Sequence, residues 1–182
     1  SEMCIRDRGY VNNWTTEKFS KFVRKYDKKK MIFLARDHGG PWQGTNEENY
    51  SLKQSMEVAK RSFEVDIDSN FKFIHIDTSF EPKKKISIDN SLKRFFELFE
   101  HCVEYSKKKN KKIYFEIGTE EQSGSTNTPE ELEYTLSEVK KFCNKKKYEM
   151  PKFVVIQSGT KVIEMRNIGS FQSPLRIETV SY

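Results

Sequence analysis

At 182 residues the chain is long enough to bury a core, and 35% apolar with 33% charged residues places it among folded globular domains and excludes a disordered one. No apolar run approaches the ~20 residues of a membrane span and no signal-peptide pattern opens the chain, so it reads as cytoplasmic with no membrane partner. Three cysteines without CxxC spacing exclude a disulfide framework or a cysteine zinc site; the net charge of +6 lies in lysine runs at 28–30, 83–85, 107–109 and 145–147, near helix ends and without interleaved aromatics, which argues against nucleic acid.

Residues 1–8, SEMCIRDR, lack apolar periodicity and read as a leader of non-native origin. The stretch TTEKFSKFVRKY follows, with a capping Thr, an early Glu, and Phe19, Phe22 and Val23 at helical spacing. MIFLARDHGG is an apolar run of strand length, expected to be buried, that ends in Arg36, Asp37 and His38. Residues 47–65 predict a helix with Leu52, Met56, Ala59 and Phe63 on one stripe. FKFIHIDTS predicts a second strand, ending in His75, Asp77, Thr78 and Ser79.

SIDNSLKRFFELFEHCVEYSKKK predicts the strongest helix, with Leu92, Phe95, Phe96, Phe99, Cys102 and Val103 on its apolar face. IYFEIGTEEQSG then begins as a strand and ends in Glu116, Glu120 and Glu121. TPEELEYTLSEVKKFC has Thr128 as cap, Pro129 at the first helical position and two acids in the first turn. KFVVIQSGT supplies a fourth strand ending in Gln157, Ser158 and Gly159, and the remaining residues carry weaker signals.

Strands alternating with helices about every 40 residues predict an α/β fold with a parallel sheet. In such a sheet all strand C-terminal ends share one rim, and here all four carry polar residues. Period-two alternation places His75 with Asp77, and Glu116 with Gly118 and Glu120, on one face, leaving Ile74, Ile76, Phe115 and Ile117 to face helices. A polar inner row beside an apolar outer row favours a (β/α)8 TIM-barrel-like fold over an open doubly wound sheet. Asp37, His38, His75, Asp77 and Glu116 are suitable nitrogen and oxygen ligands for Zn²⁺ or another divalent cation. His101, on a helix, reads as inert surface. No Walker loop or GxGxxG turn supports nucleotide binding.

ARDHGGPWQ, FIHIDTS, EIGTEE and VVIQSGT, in this order and spacing, resemble the GDHLGP...WQ, IHLDxS, IGTE and VVQPG motifs of the accessory, non-catalytic Z-type subunit of class II tagatose-bisphosphate aldolases, and GYVNNWTTEKFSKF resembles that family's GYTGM loop and helix. The resemblance covers residues 9–160. It implies a TIM barrel of which residues 9–182 supply a fragment, the central four β/α units, since eight at this spacing need more than about 300 residues.

The resemblance further implies support of aldol cleavage of a ketohexose bisphosphate in carbohydrate catabolism. A sugar phosphate would be the ligand, a catalytic aldolase subunit the partner, and the full-length protein an oligomer. Asp37 and His38 match the Asp-His pair of the zinc-dependent aldolases, in which a carboxylate moves a proton and the imidazole binds the metal. Asp37, Glu116 and Asp77 are the catalytic candidates, His38, His75 and Glu116 the metal ligands, and Arg36, Gln43, Glu120, Gln157 and Ser158 the substrate-binding set.

The departures from the family pattern matter. Arg36 replaces a Gly and is available for a phosphate or carboxylate, or for pairing with Asp77 or Glu116; QSG replaces QPG, and the later metal-binding histidines have no equivalents. The alternative is an independent metal-dependent aldolase or epimerase of sugar acids or sugar derivatives. A third reading is a basic module recruited by acidic partners.

Overall fold

A computed structural model describes residues 14–44, 47–118 and 129–155, together with the backbone of 161–163 and 166–168. Helix α1 (Thr16–Tyr26) precedes three strand–helix pairs: β1 (Ala35–Gly39) and α2 (Leu52–Asp68), β2 (Phe73–Asp77) and α3 (Ile88–Lys108), β3 (Tyr114–Gly118) and α4 (Pro129–Lys146). Strand β4 (Phe153–Val154) follows, and β1 to β4 form one parallel sheet in chain order. Strands β5 (Lys161–Ile163) and β6 (Arg166–Ile168) pair antiparallel where the sequence predicts nothing definite. The α/β class is as expected, but among the described residues the sheet is open and four-stranded, not a closed barrel. No described helix is long and apolar enough to cross a membrane.

Each unit begins and ends alike. Thr15, Ser51 and Ser87 cap the first three helices by accepting the N–H three residues on, and Ser51 with Gln54 completes a capping box. That box sets the start of α2 at Leu52, the first residue of the apolar stripe and five residues after the expected start at 47. Helices α2, α3 and α4 exit through a left-handed residue: Asn70 at φ 63°, Asn110 at 52° and Lys147 at 58°. The next N–H then reaches back five residues, Phe71 to Asp66, Lys111 to Ser106 and Tyr148 to Cys143, satisfying carbonyls the helix leaves open. Lys107, Lys108, Lys145 and Lys146 fall in last turns, where cations complement the helix dipole.

Right-handed crossovers between strands in chain order place the helices on one face of the sheet. The core lies between these layers: Ile74, Ile76, Phe115 and Ile117 from the strands meet Met56, Ala59, Phe63 and Ile67 of α2, Phe95, Phe99 and Cys102 of α3, and Val139 of α4. Phe63, Phe95 and Phe99 are wholly buried, each contributing about 1.5–3 kcal/mol of transfer free energy. Phe99 meets Phe115 edge-on at 5.0 Å, and Phe96 stacks on Phe142 at 4.4 Å, tying α3 to β3 and α4.

Two apolar segments behave otherwise than the sequence suggests. Met31, Ile32 and Phe33, expected inside a buried strand, precede β1 and are 74%, 51% and 64% exposed. Phe33, Phe73, Tyr114 and Phe153 make an aromatic row, with Phe73 contacting each of the others. In α1, Phe22 is exposed and packs on Trp14 and Tyr26, while Thr16 and Ser20 turn inward, Ser20 donating to the Ser69 carbonyl at 2.6 Å.

Candidate functional site

Strict alternation would send Asp37 and His38 to opposite faces of β1. The register prevents it: Arg36 pairs with Ile74 and Gly39 with Ile76, so two residues of β1 oppose the single residue His75 of β2. This is a β-bulge, and His38 takes a left-handed φ of 42° within it. A non-glycine residue there stores strain of about 1–3 kcal/mol, tolerated when surrounding contacts hold it.

The bulge brings three ligand-type side chains together. Asp37 Oδ1 lies 3.4 Å from His75 Nδ1 and 3.9 Å from His38 Nε2, and the imidazole rings are 4.9 Å apart. One ligand atom from each of Asp37, His38 and His75 falls within 4.8 Å of the others. Glu116, opposite His75 in the register, adds Oε2 at 3.9 Å from His75 Nδ1. Two imidazoles and one or two carboxylates are a donor set that Zn²⁺ or another first-row divalent ion accepts, so these residues fit the cation that the aldolase resemblance implies.

Asp77 underlies this cluster. It is 1% exposed; its Oδ1 accepts from the Ser79 N–H at 2.9 Å and the Ser79 hydroxyl at 2.6 Å, and its Oδ2 from Gln43 Nε2 at 3.3 Å, with His38 Nδ1 at 3.0 Å. Burial opposes its charge, but the hydrogen bonds from His38 and Ser79 outweigh it and hold the carboxyl below its ordinary pKa. Two glycines permit the close approaches. A Cβ at Gly118 would sit 2.1 Å from His75 Nε2, and one at Gly40 1.7 Å from the Asp77 carbonyl oxygen. Trp42 pins the loop carrying Gln43: its backbone N–H donates to Ser55 Oγ at 2.8 Å and its indole N–H to the Tyr50 carbonyl at 3.0 Å.

Arg36 does not join the rim. It turns toward the helices, 2% exposed, and pairs with Asp66 of α2 at 3.1 Å, so neither Asp77 nor Glu116 is the partner formed. Asp66 also accepts from the Thr16 hydroxyl, at 3.4 Å. Burial pushes its carboxyl up to about 6 against the pull of Arg36. Asp66 goes unnoticed in the sequence, although its place three residues after Phe63 and beside Ile67 sets it within the apolar stripe. Glu120, Gln157 and Ser158 lie outside the described residues. His101 is half-buried and faces Glu64 at 3.0 Å, away from the rim. A cavity of about 740 Å³ between the first turns of α2 and α3, bordered by Met56, Lys84 and Lys93, includes none of the cluster.

No family model and no curated protein matches the sequence. Among solved structures, one described as the crystal structure of a probable tagatose 6 phosphate kinase from Sinorhizobium meliloti 1021 is similar, with a TM-score of 0.68 and 19% identity over 91% of this chain. The match covers 44% of that protein, so this chain spans less than half its length. At that identity the likeness establishes the α/β fold and nothing of the chemistry.

Proposed function

We propose that the chain forms four of the eight units of a (β/α)8 barrel of the class II aldolase kind, handling a sugar phosphate with a divalent cation at the strand ends. The observation that carries this reading is the convergence of Asp37, His38 and His75 at the β1 bulge. Barrel closure is supported by the strand order, by helices confined to one face, and by the uncovered aromatic row of Phe33, Phe73, Tyr114 and Phe153, which further strands would bury. A sugar-phosphate role is supported by the four rim motifs and by the tagatose phosphate named for the similar structure.

His38 and His75 would hold the cation, with Glu116 as the further ligand and Asp37 beside them; when bound, the cation supplies a positive charge that polarises a substrate carbonyl. Asp37, whose side chain is 83% exposed, would take the proton of the substrate hydroxyl that becomes the aldehyde as the C–C bond breaks, the bonding pair passing to the carbonyl fragment as an enediolate, and would return that proton when the enediolate is quenched. Gln43, which donates to Asp77 at 3.3 Å, would contact substrate hydroxyls. The accessory-subunit reading rests on the resemblance of the four rim motifs; among the described residues the third histidine, His101, faces Glu64 and stands outside the cluster.

Metal analysis with incubation on a ketohexose bisphosphate, with and without a catalytic class II aldolase, tests the proposal. Stoichiometric zinc lost in His38→Ala, with turnover by the chain alone, supports the enzyme. Zinc binding with turnover only alongside the partner assigns the accessory role. Neither cation binding nor an effect on the partner refutes both.

A further inference from the structure

We propose that Asp77 is a positioning residue that locks the His38 imidazole in its Nδ1–H tautomer, so that the unprotonated Nε2, on the side of Asp37, serves as the cation ligand. The argument starts from what each partner of Asp77 can do. Ser79 N–H is a backbone donor and cannot reverse its role, and the Ser79 hydroxyl donates to the same oxygen. The carboxylate has no hydrogen to give, so the His38 Nδ1 at 3.0 Å from Oδ2 is the donor. In a neutral imidazole the other nitrogen then carries the lone pair, and that nitrogen is the one 3.9 Å from Asp37 Oδ1. A buried carboxylate behind a ligating histidine raises its basicity and fixes its ring.

The inference rests on the cation reading for its purpose but not for its geometry, and the experiment separates the two. Asp77→Asn is nearly isosteric. Because Ser79 N–H still requires an oxygen, the new amide nitrogen must face His38, and as a donor it forces the proton from Nδ1 to Nε2. Nitrogen-15 spectra of histidine-labelled full chain, recorded above the ordinary imidazole pKa without metal, read the tautomer directly, and Zn²⁺ titration reads affinity. The expected result is an Nδ1–H His38 in the parent chain, an Nε2–H His38 in Asp77→Asn, and a 10–100-fold weaker Zn²⁺ affinity in the variant. An Nε2–H tautomer in the parent chain overturns the proposal without recourse to any variant. So does an unchanged tautomer in a folded Asp77→Asn protein, or, where the parent chain binds Zn²⁺, an unchanged Zn²⁺ affinity in a variant whose tautomer has inverted. If the tautomer inverts but the parent chain binds no cation, the positioning assignment stands and the metal-dependent function falls.

Discussion

Replacing Arg36 with Met tests how the floor of the site is held. The guanidinium and Asp66 are 2% and 0% exposed and 3.1 Å apart, so removal of one partner leaves a carboxyl in an apolar layer beside Cys102 and Phe63. Breaking such a pair typically costs about 3–5 kcal/mol, equivalent to a fall in Tm of roughly 6–20 °C for a chain of this size. The sign with pH follows from Asp66. Burial already raises its folded pKa from 3.8 to about 6, so its contribution to stability is fully present below the unfolded value and is lost as pH rises through the folded one. Without Arg36 the folded pKa climbs further. The deficit of Arg36→Met relative to the parent chain is therefore expected to be smallest in acid and to grow as pH rises through about 6, by at most about 1.4 kcal/mol per pH unit, on top of a pH-independent loss of packing and hydrogen bonds.

Adding Asp66→Leu removes the stranded group, and the double variant should recover the parent's stability or exceed it by about 1–4 kcal/mol. Urea unfolding followed by circular dichroism across that pH range measures all three proteins. A neutral-pH deficit below about 1 kcal/mol, a deficit independent of pH, or a double variant weaker than the single one would refute the argument.

Gly118→Ala drives a methyl group into the His75 ring, so it should lower stability by about 1–3 kcal/mol and weaken Zn²⁺ binding; calorimetry showing neither would mean the ring sits elsewhere. Glu81 is bound by Arg94, which also lies over the Trp42 ring at 5.1 Å; the hydrogen bond from Arg94 holds the carboxyl below its ordinary value, so its stabilisation is present above the unfolded pKa and lost as pH falls through the folded one. Glu81→Gln should accordingly flatten the acid limb of a stability–pH curve. Lys147→Gly, at φ 58° after α4, should raise stability by about 1 kcal/mol in thermal unfolding, whereas the same exchange at Lys145 inside the helix should lower it.

Periodicity made the layers legible because burial on one face imposes it. Ile74 and Ile76, Phe115 and Ile117, and the stripe from Leu92 to Val103 all pack as their spacing implies. The same alternation that placed Ile74 outward also places Arg36 on the face of Leu34, away from Asp37, although its position at a strand end suggests a rim residue. Met31, Ile32 and Phe33 read as a buried strand because an apolar run says that burial is favourable, not which neighbour supplies it. The start of α2 is marked by Leu52, the first residue of its apolar stripe, and by the Ser51–Gln54 capping box, so the expected start at 47 overlooks a small polar signal. The rim cluster itself was legible as a set of residue types at strand ends and illegible as geometry, because a single extra residue in β1 decides where His38 points.

That extra residue can be tested through its backbone alone. His38→Gly and His38→Ala both remove the imidazole and its bond to Asp77, so the difference between them reports only the conformation at position 38. In an ordinary strand Gly is the weaker residue, by roughly 0.5–1 kcal/mol relative to Ala. At a left-handed φ of 42° the order inverts, since an added Cβ costs about 1–2 kcal/mol there. His38→Gly is therefore expected to be the more stable of the pair, by about 1 kcal/mol in urea unfolding, while neither binds zinc. If Ala were the more stable by the usual strand margin, residue 38 would be extended in solution, Asp37 and His38 would project from opposite faces of β1, and no cation could touch both. The shared rim thus depends on a conformation that works against stability, and the sign of one small free-energy difference decides whether it exists.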